Sequence, residues 1–420
     1  MQFSKPTCGW TLSLIFVVAC TRPLYGQDGF EGAFEQWVTN LSSLDMGLND
    51  PAAKTKVNAK QAEIAKVLLW NEWVERNREE LSAAVEKKVV SIPGAGDSRV
   101  ELKWLERRFG DDKARGKPLF ISMHGGGGAP ERVNNQQWNN QIRLYAPAEG
   151  IVVAPRAPGN TWDLWHQAPV DRLFDELIAA FVTTQDVDPN RVYLMGYSAG
   201  GDGVYQVAPR LADRFAAASM MAGHPNESQP WGLRNLPFAL FVGEKDGAYN
   251  RNQVAMAYGK RLDELQKEDP DGYVHWMKLS PGKEHWMGGE DQEAVPWMMQ
   301  YRRVVHPPVV VWYQDDVTHQ SLYWLHLGEN AEAKPGTKVV AKIEGNRIRI
   351  EGDAEIALRL QLDDSMLNLE EPITVERNGA TVFEGKVARQ IDVMLQSLLE
   401  YRDPSRIYVA TIEVPASKPK

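Results

Sequence analysis

The 420 residues include only two cysteines, Cys8 and Cys20, both within the first twenty positions. Whatever follows them folds without a disulfide, in an oxidising compartment or a reducing one. After residues 10–20 no apolar run approaches the length needed to cross a bilayer. Basic clusters are missing as well: 47 Lys and Arg are spread among 56 Asp and Glu, for a formal net charge of -9. That balance argues against nucleic acid as the main partner and suits a neutral substrate. The 8 histidines are scattered, with no HExxH or paired-ligand spacing, so neither a metal nor another cofactor is expected. We find no internal repeat and no low-complexity tract. The hydrophobic share of 43% and charged share of 25% are ordinary for a globular protein, and the length implies one domain of roughly 200–250 residues with smaller appendages.

The first residues differ from the rest. Lys5 precedes the apolar run 10–20, "WTLSLIFVVAC", and no acidic residue occurs before Asp28, the pattern of an export signal over residues 1–26. Two endings stay open: cleavage after Gly26, or lipid attachment at Cys20, because Val17-Val18-Ala19-Cys20 resembles a bacterial lipobox. The protein is expected to be exported, periplasmic or extracellular, with a lipid at Cys20 its sole route to a membrane.

Periodicity then divides the chain. Residues 27–86 form a helical N-terminal segment, with Ile64, Val67, Leu68, Val74 and Leu81 near one helix face. Strand patterns at 87–92 and 99–108 are separated by "PGAGDS", the turn chemistry of an antiparallel pair. From residue 118, apolar strands at 118–123, 150–154, 191–195, 216–222, 237–243 and 273–279 alternate with helix-length segments, the clearest being 171–184. Such alternation gives an α/β fold, a doubly wound, mainly parallel sheet covered on both faces, with its chemistry at the carboxyl ends of the strands. Residues 87–305 constitute this domain. From 306 to 420, alternating strands around Asn-Gly and Gly-Asp turns suggest a small β-rich C-terminal domain, interrupted by one helix near 386–401 before a last strand, "RIYVATIEV".

The strand ends carry the chemistry. "RVYLMGYSAGGDG" (191–203) stops an apolar run at Gly196-Tyr197-Ser198-Ala199-Gly200. Glycines are needed where a strand turns sharply into a helix, which leaves the serine between them on an exposed corner. The strand at 118–123 ends in "HGGGG" (124–128), whose bare backbone N–H groups can face an oxyanion, with the N–H of Ala199 as second donor. Serine needs a base oriented by a carboxylate. Two successive strand ends supply them in order: Glu244-Lys245-Asp246, then His285 in "SPGKEHW". Glu244 competes with Asp246, and His224 and His275 with His285; His275 falls inside a strand and His224 precedes the acid. Asp202, one turn into the helix, suits a helix N-terminus.

"HGGGG", "GYSAGG", "VGEKD" and "GKEH" together resemble the α/β-hydrolase superfamily, most of all its secreted esterases related to polyhydroxybutyrate depolymerases and to feruloyl and acetyl xylan esterases. The resemblance covers roughly residues 87–300. It implies Ser198 as nucleophile, Asp246 as orienting acid, His285 as base, and Gly125 or Gly126 with Ala199 as oxyanion donors. It implies a serine carboxylesterase that cleaves small or polymeric esters, carbohydrate-linked or polyester, through an acyl-enzyme. Candidate substrate contacts are His124, Trp162, Trp165, His166, Tyr197, His224 and Trp286; Trp138 and Trp231 share predicted loop positions with them. Two other readings stand beside this one. A serine peptidase of the prolyl oligopeptidase kind shares the elbow and the residue order but needs a propeller-sized domain that 60 helical residues cannot make. A non-catalytic surface-binding protein would use the β-rich domain alone.

Overall fold

A computed structural model describes residues 29–111, 113–353 and 355–416. The export segment, Cys8 and Cys20 lie outside them. An eight-stranded sheet organises the chain: β1 (Val89–Pro93), β2 (Arg99–Phe109), β3 (Lys117–Met123), β4 (Gly150–Arg156), β5 (Val187–Tyr197), β6 (Ala217–Met221), β7 (Phe238–Gly243) and β8 (His275–Ser280). The order across the sheet is β1-β2-β4-β3-β5-β6-β7-β8. β2 is antiparallel to β1 and β4, and every later pairing is parallel.

The central strands are apolar at consecutive positions because both faces are buried, and their side chains divide between two cores with the period of a strand. Leu119, Ile121, Val192, Leu194, Leu240 and Val242 join one core; Phe120, Tyr193, Met195, Ala239 and Phe241 join the other. The first core is the larger. It takes in the helices Pro169–Thr184 and Ala199–Arg210, the N-terminal segment and the C-terminal region. In the N-terminal segment, the helix Ala59–Lys87 opens with a reciprocal capping box between Asn58 and Gln61 and closes on Lys88 in the left-handed conformation. It packs along Pro169–Thr184.

Residues 306–416 form two sheets. One orders 309–313, 338–344, 347–352, 373–377 and 380–385; the other 321–322, 325–327, 358–362 and 410–414. The hairpin at Asn378-Gly379 has positive φ at both residues, 48° and 79°, as a tight turn between twisted strands requires. One pairing departs from the hairpin expectation: 347–352 and 373–377 run parallel. Between them the chain leaves this sheet, supplies 358–362 to the other, and re-enters in the same direction. The C-terminal helix spans Ile391–Tyr401 and starts later than expected, because Arg389 and Gln390 pair with Lys56 and Val57 of the N-terminal segment. The last strand is shorter too, Ala410–Val414, after a 3-10 turn at Pro404–Arg406. The N-terminal segment and the C-terminal region thus share a strand pair, and both join one core with the main sheet. No helix among the described residues is long and apolar enough to cross a membrane.

Candidate functional site

Ser198 sits between β5 and the helix Ala199–Arg210 with φ 59° and ψ -124°, a strained turn outside the usual regions for a side chain. The glycines around it permit close backbone approach. A Cβ at Gly196 would lie 2.2 Å from the carbonyl oxygen of Gly200, and one at Gly200 would lie 2.1 Å from that of Met123. Strand, turn and helix can therefore coincide here only without those carbons. The Ser198 N–H donates to Met221 O at 2.9 Å, which ties the corner to the end of β6.

From this corner the Ser198 hydroxyl donates to His285 Nε2 at 2.9 Å, and His285 Nδ1–H donates to Asp246 Oδ2 at 2.8 Å. The tautomer follows from those two partners. The loops that carry the acid and the imidazole are stitched together by their backbones: Glu244 N–H donates to Ser280 O at 3.0 Å, and Lys245 N–H to Lys283 O at 2.7 Å. Asp246 is buried. Glu244, the rival of Asp246, and His275, a rival of His285, are engaged elsewhere. Glu244 Oε2 accepts the Gly282 N–H at 2.7 Å, and His275 lies between Asp263 Oδ1 and Tyr273 O.

The backbone at Gly125 runs against the serine, since a Cβ there would come within 3.0 Å of Ser198 Cβ. Side chains hold the carbonyls of this loop: His124 bonds Gly125 O at 2.6 Å, and Asn134 Nδ2 donates to Gly127 O at 3.1 Å and Ala129 O at 2.8 Å. The N–H groups of Gly125, Gly126 and Ala199 meet no acceptor among the described residues. With the carbonyls of Gly125, Gly127 and Ala129 engaged and the N–H groups of Gly125 and Gly126 free, this loop is prepared for an anion.

Three of the expected substrate contacts do not reach the site. His124 is buried and neutral; burial pushes its imidazole down to about 4, while Nδ1–H serves Gly125 O and Nε2 accepts the Ala157 N–H at 3.1 Å. It shapes the glycine loop from behind. Trp165 is fully buried, donates to His124 O at 3.0 Å and packs against Phe174. His166 is buried behind Trp162, ring edge to ring face at 5.3 Å. Two further tryptophans also turn away: Trp138 lies on the helix Glu131–Gln141 and donates to Ala154 O, and Trp231 meets Arg261 and Lys338. A strand-end aromatic looks the same in sequence whether it faces the cleft or the core.

The other four expected contacts line two clefts that meet at Ser198 and Gly126. The larger, about 630 Å³, is bounded by Val133, Gln141, Leu144, Tyr197, His285 and Trp286. The smaller, about 400 Å³, is bounded by Trp162, Asp202, His224, Asn226, Tyr249 and Arg251. Trp162, Tyr249 and Trp286 are 62%, 76% and 56% exposed, and no residue of 306–416 lines either cleft. Tyr197 does more than line a wall. Its hydroxyl donates to His285 O at 2.6 Å and accepts the Met287 N–H at 3.1 Å. Asn226, Tyr249 and Arg251 were not singled out by the sequence, though "EKDGAYNR" places the last two just after the acid on the same strand end. Asp202 exceeds the helix-terminus role expected of it: Oδ1 accepts the His224 N–H at 2.6 Å, and burial pushes its carboxyl up to about 6.

Known proteins share parts of this chain. No protein-family profile matches it. The bifunctional acetylxylan esterase/xylanase XynS20E of Neocallimastix patriciarum is 31% identical over 145 residues, covering 34% of this chain and 21% of that protein. The putative esterase NocK of Nocardia uniformis subsp. tsuyamanensis is 28% identical over 141 residues, 31% of this chain and 40% of that one. The chain thus spans between a fifth and two-fifths of the length of these relatives. Among solved structures, the poly(3-hydroxybutyrate) depolymerase LpqC of Bordetella parapertussis overlaps 54% of this chain and 94% of its own, at 17% identity and a TM-score of 0.36. An antiparallel start followed by six parallel strands, with a serine at the turn after the central one and an acid and a histidine on later strand ends, is the architecture of the α/β-hydrolase fold.

Proposed function

We propose that the chain is an exported serine hydrolase that cleaves carboxylic esters, carbohydrate-linked or polyester, through an acyl-enzyme. The observation that carries this reading is the continuous hydrogen-bonded chain from the Ser198 hydroxyl through His285 to Asp246, beside backbone N–H groups left free. Ser198 Oγ attacks the ester carbonyl as His285 Nε2 takes its proton, and buried Asp246 fixes the imidazole tautomer and balances its charge. Gly125 or Gly126, with Ala199, donates to the oxyanion, a contribution of roughly 3 kcal/mol per donor in comparable sites. The imidazolium then gives its proton to the departing alkoxide. Water activated by the same histidine releases the acid.

The names of the curated relatives support an ester rather than a peptide as substrate. A panel of aryl and sugar esters set beside peptide amides tests this: ester turnover should fall about 10⁴-fold or more in Ser198→Ala, and peptide cleavage without ester cleavage would overturn it. Export is tested by the N-terminus of protein recovered outside the cytoplasm. Gln27 marks cleavage after Gly26, a lipidated Cys20 marks an anchor, and protein found in the cytoplasm alone with Met1 intact contradicts export.

A further inference from the structure

Both clefts at Ser198 carry polar and apolar side chains, and their position relative to His285 assigns each to one half of the ester. When the acyl-enzyme forms, the C–O bond to the alcohol breaks and its oxygen takes the proton from His285 Nε2. The leaving group must therefore lie on the imidazole side. His285 borders the larger cleft and not the smaller one. The acyl group is left to the smaller cleft, which borders Ala199 and the glycine loop.

That cleft, about 400 Å³, is far larger than an acetyl group, and polar side chains reach into it. Asp202 uses one carboxylate oxygen for the His224 N–H, while Oδ2 meets no donor among the described residues. Asn226 and His224 stand at its edge, and Arg251 lies over the Tyr249 ring at 4.8 Å. An alkyl acyl chain would strip water from these groups and return no hydrogen bond. The charges facing Asp202 are Arg251 from the helix Arg251–Glu268, His224 from the loop after β6 and His285 from the loop after β8. With a carboxylate and a guanidinium in one cleft, a neutral group rich in hydroxyls is matched better than an anion. The exposed rings of Trp162 and Tyr249 add flat apolar faces of the kind that cover the C–H face of a sugar ring.

Resting on the reading of Ser198 as nucleophile, we propose that the smaller cleft binds the acyl half of the ester and selects a polyhydroxylated ring there. The substrate class is an ester of a sugar acid, with the sugar ring on the carbonyl side of the scissile bond. Asp202 is the specificity-determining acceptor.

Three benzyl esters with one leaving group test this: glucuronate, cyclohexanecarboxylate and acetate. The expected kcat/KM favours glucuronate over cyclohexanecarboxylate by about tenfold or more, as a site built to bond hydroxyls discriminates against the analogue without them. Asp202→Asn keeps the shape and the His224 contact and should lower that ratio about fivefold; Tyr249→Ala, at an exposed position, should lower it as well. A ratio near one, a preference for acetate, or a ratio unmoved by both variants overturns the proposal while leaving the nucleophile in place. Failure to hydrolyse any of the three, with no covalent labelling of Ser198, overturns the nucleophile reading and this proposal with it.

Discussion

Two residues beside the triad carry consequences of their own. Tyr197, next to the serine, clamps the backbone on both sides of Trp286 through one hydroxyl. Tyr197→Phe should lower kcat about tenfold with KM little changed, because the imidazole loses its fixed position while the cleft wall remains; a rise in KM alone would show a binding role instead. Asp202 makes a prediction about stability. Its carboxyl is raised from 3.8 to about 6 in the folded chain, so between those values the native state holds a proton that the unfolded state has lost. Stability therefore falls as pH rises through that window. Asp202→Asn should melt higher than the parent at pH 8, by on the order of 1 kcal/mol, and show no such gain near pH 4. That Ser198, Asp246 and His285 come together was legible because glycine spacing and strand-end order are linear features. The inward turn of His124 was not, since the side of the backbone a strand-end residue faces depends on the layer beneath it.

At the scale of elements, the junction of β5 with the helix Ala199–Arg210 is the demanding one. Gly196 and Gly200 are held against carbonyl oxygens that belong to rigid strand and helix backbone. Gly200→Ala should destabilise the fold by about 3 kcal/mol, measured by denaturant titration, since no flexible side chain can move aside. A cost below about 1 kcal/mol would mean that the turn is looser than described. The alternation of apolar strands with helical segments gave the parallel sheet, because runs of Val, Ile, Leu and Phe buried on both faces are unlike a half-exposed strand. The parallel pairing of 347–352 with 373–377 was hidden. Residue alternation marks a strand and its faces but not its neighbour, and a twenty-residue detour through the second sheet has no local signature.

For the whole molecule, the N-terminal segment and residues 306–416 pack with one face of the main sheet in a single core, away from both clefts. A buried ion cluster joins residues 306–416 to the sheet domain. Burial opposes the charge on Asp213, yet Arg214 and Arg406 more than offset it and hold the carboxyl at about 2; the Tyr323 N–H and the Arg303–Asp403 pair adjoin it. Asp213→Asn should cost about 3–5 kcal/mol, because it leaves buried guanidinium groups without their counter-charge. Calorimetry of residues 29–416 should give one cooperative transition, whereas two resolved transitions would show independent domains. The sequence suggested separable parts because the residue pattern changes at 86 and 306. Which surfaces those parts bury against one another depends on tertiary packing, and no local pattern encodes it.

The central claim is that the Ser198 hydroxyl is an activated nucleophile. Mass mapping after treatment of the folded chain with a fluorophosphonate tests it most directly. The account predicts a single adduct on Ser198, lost in Ser198→Ala and strongly slowed in His285→Ala. A folded protein that takes no label, or takes it at another residue, would contradict it.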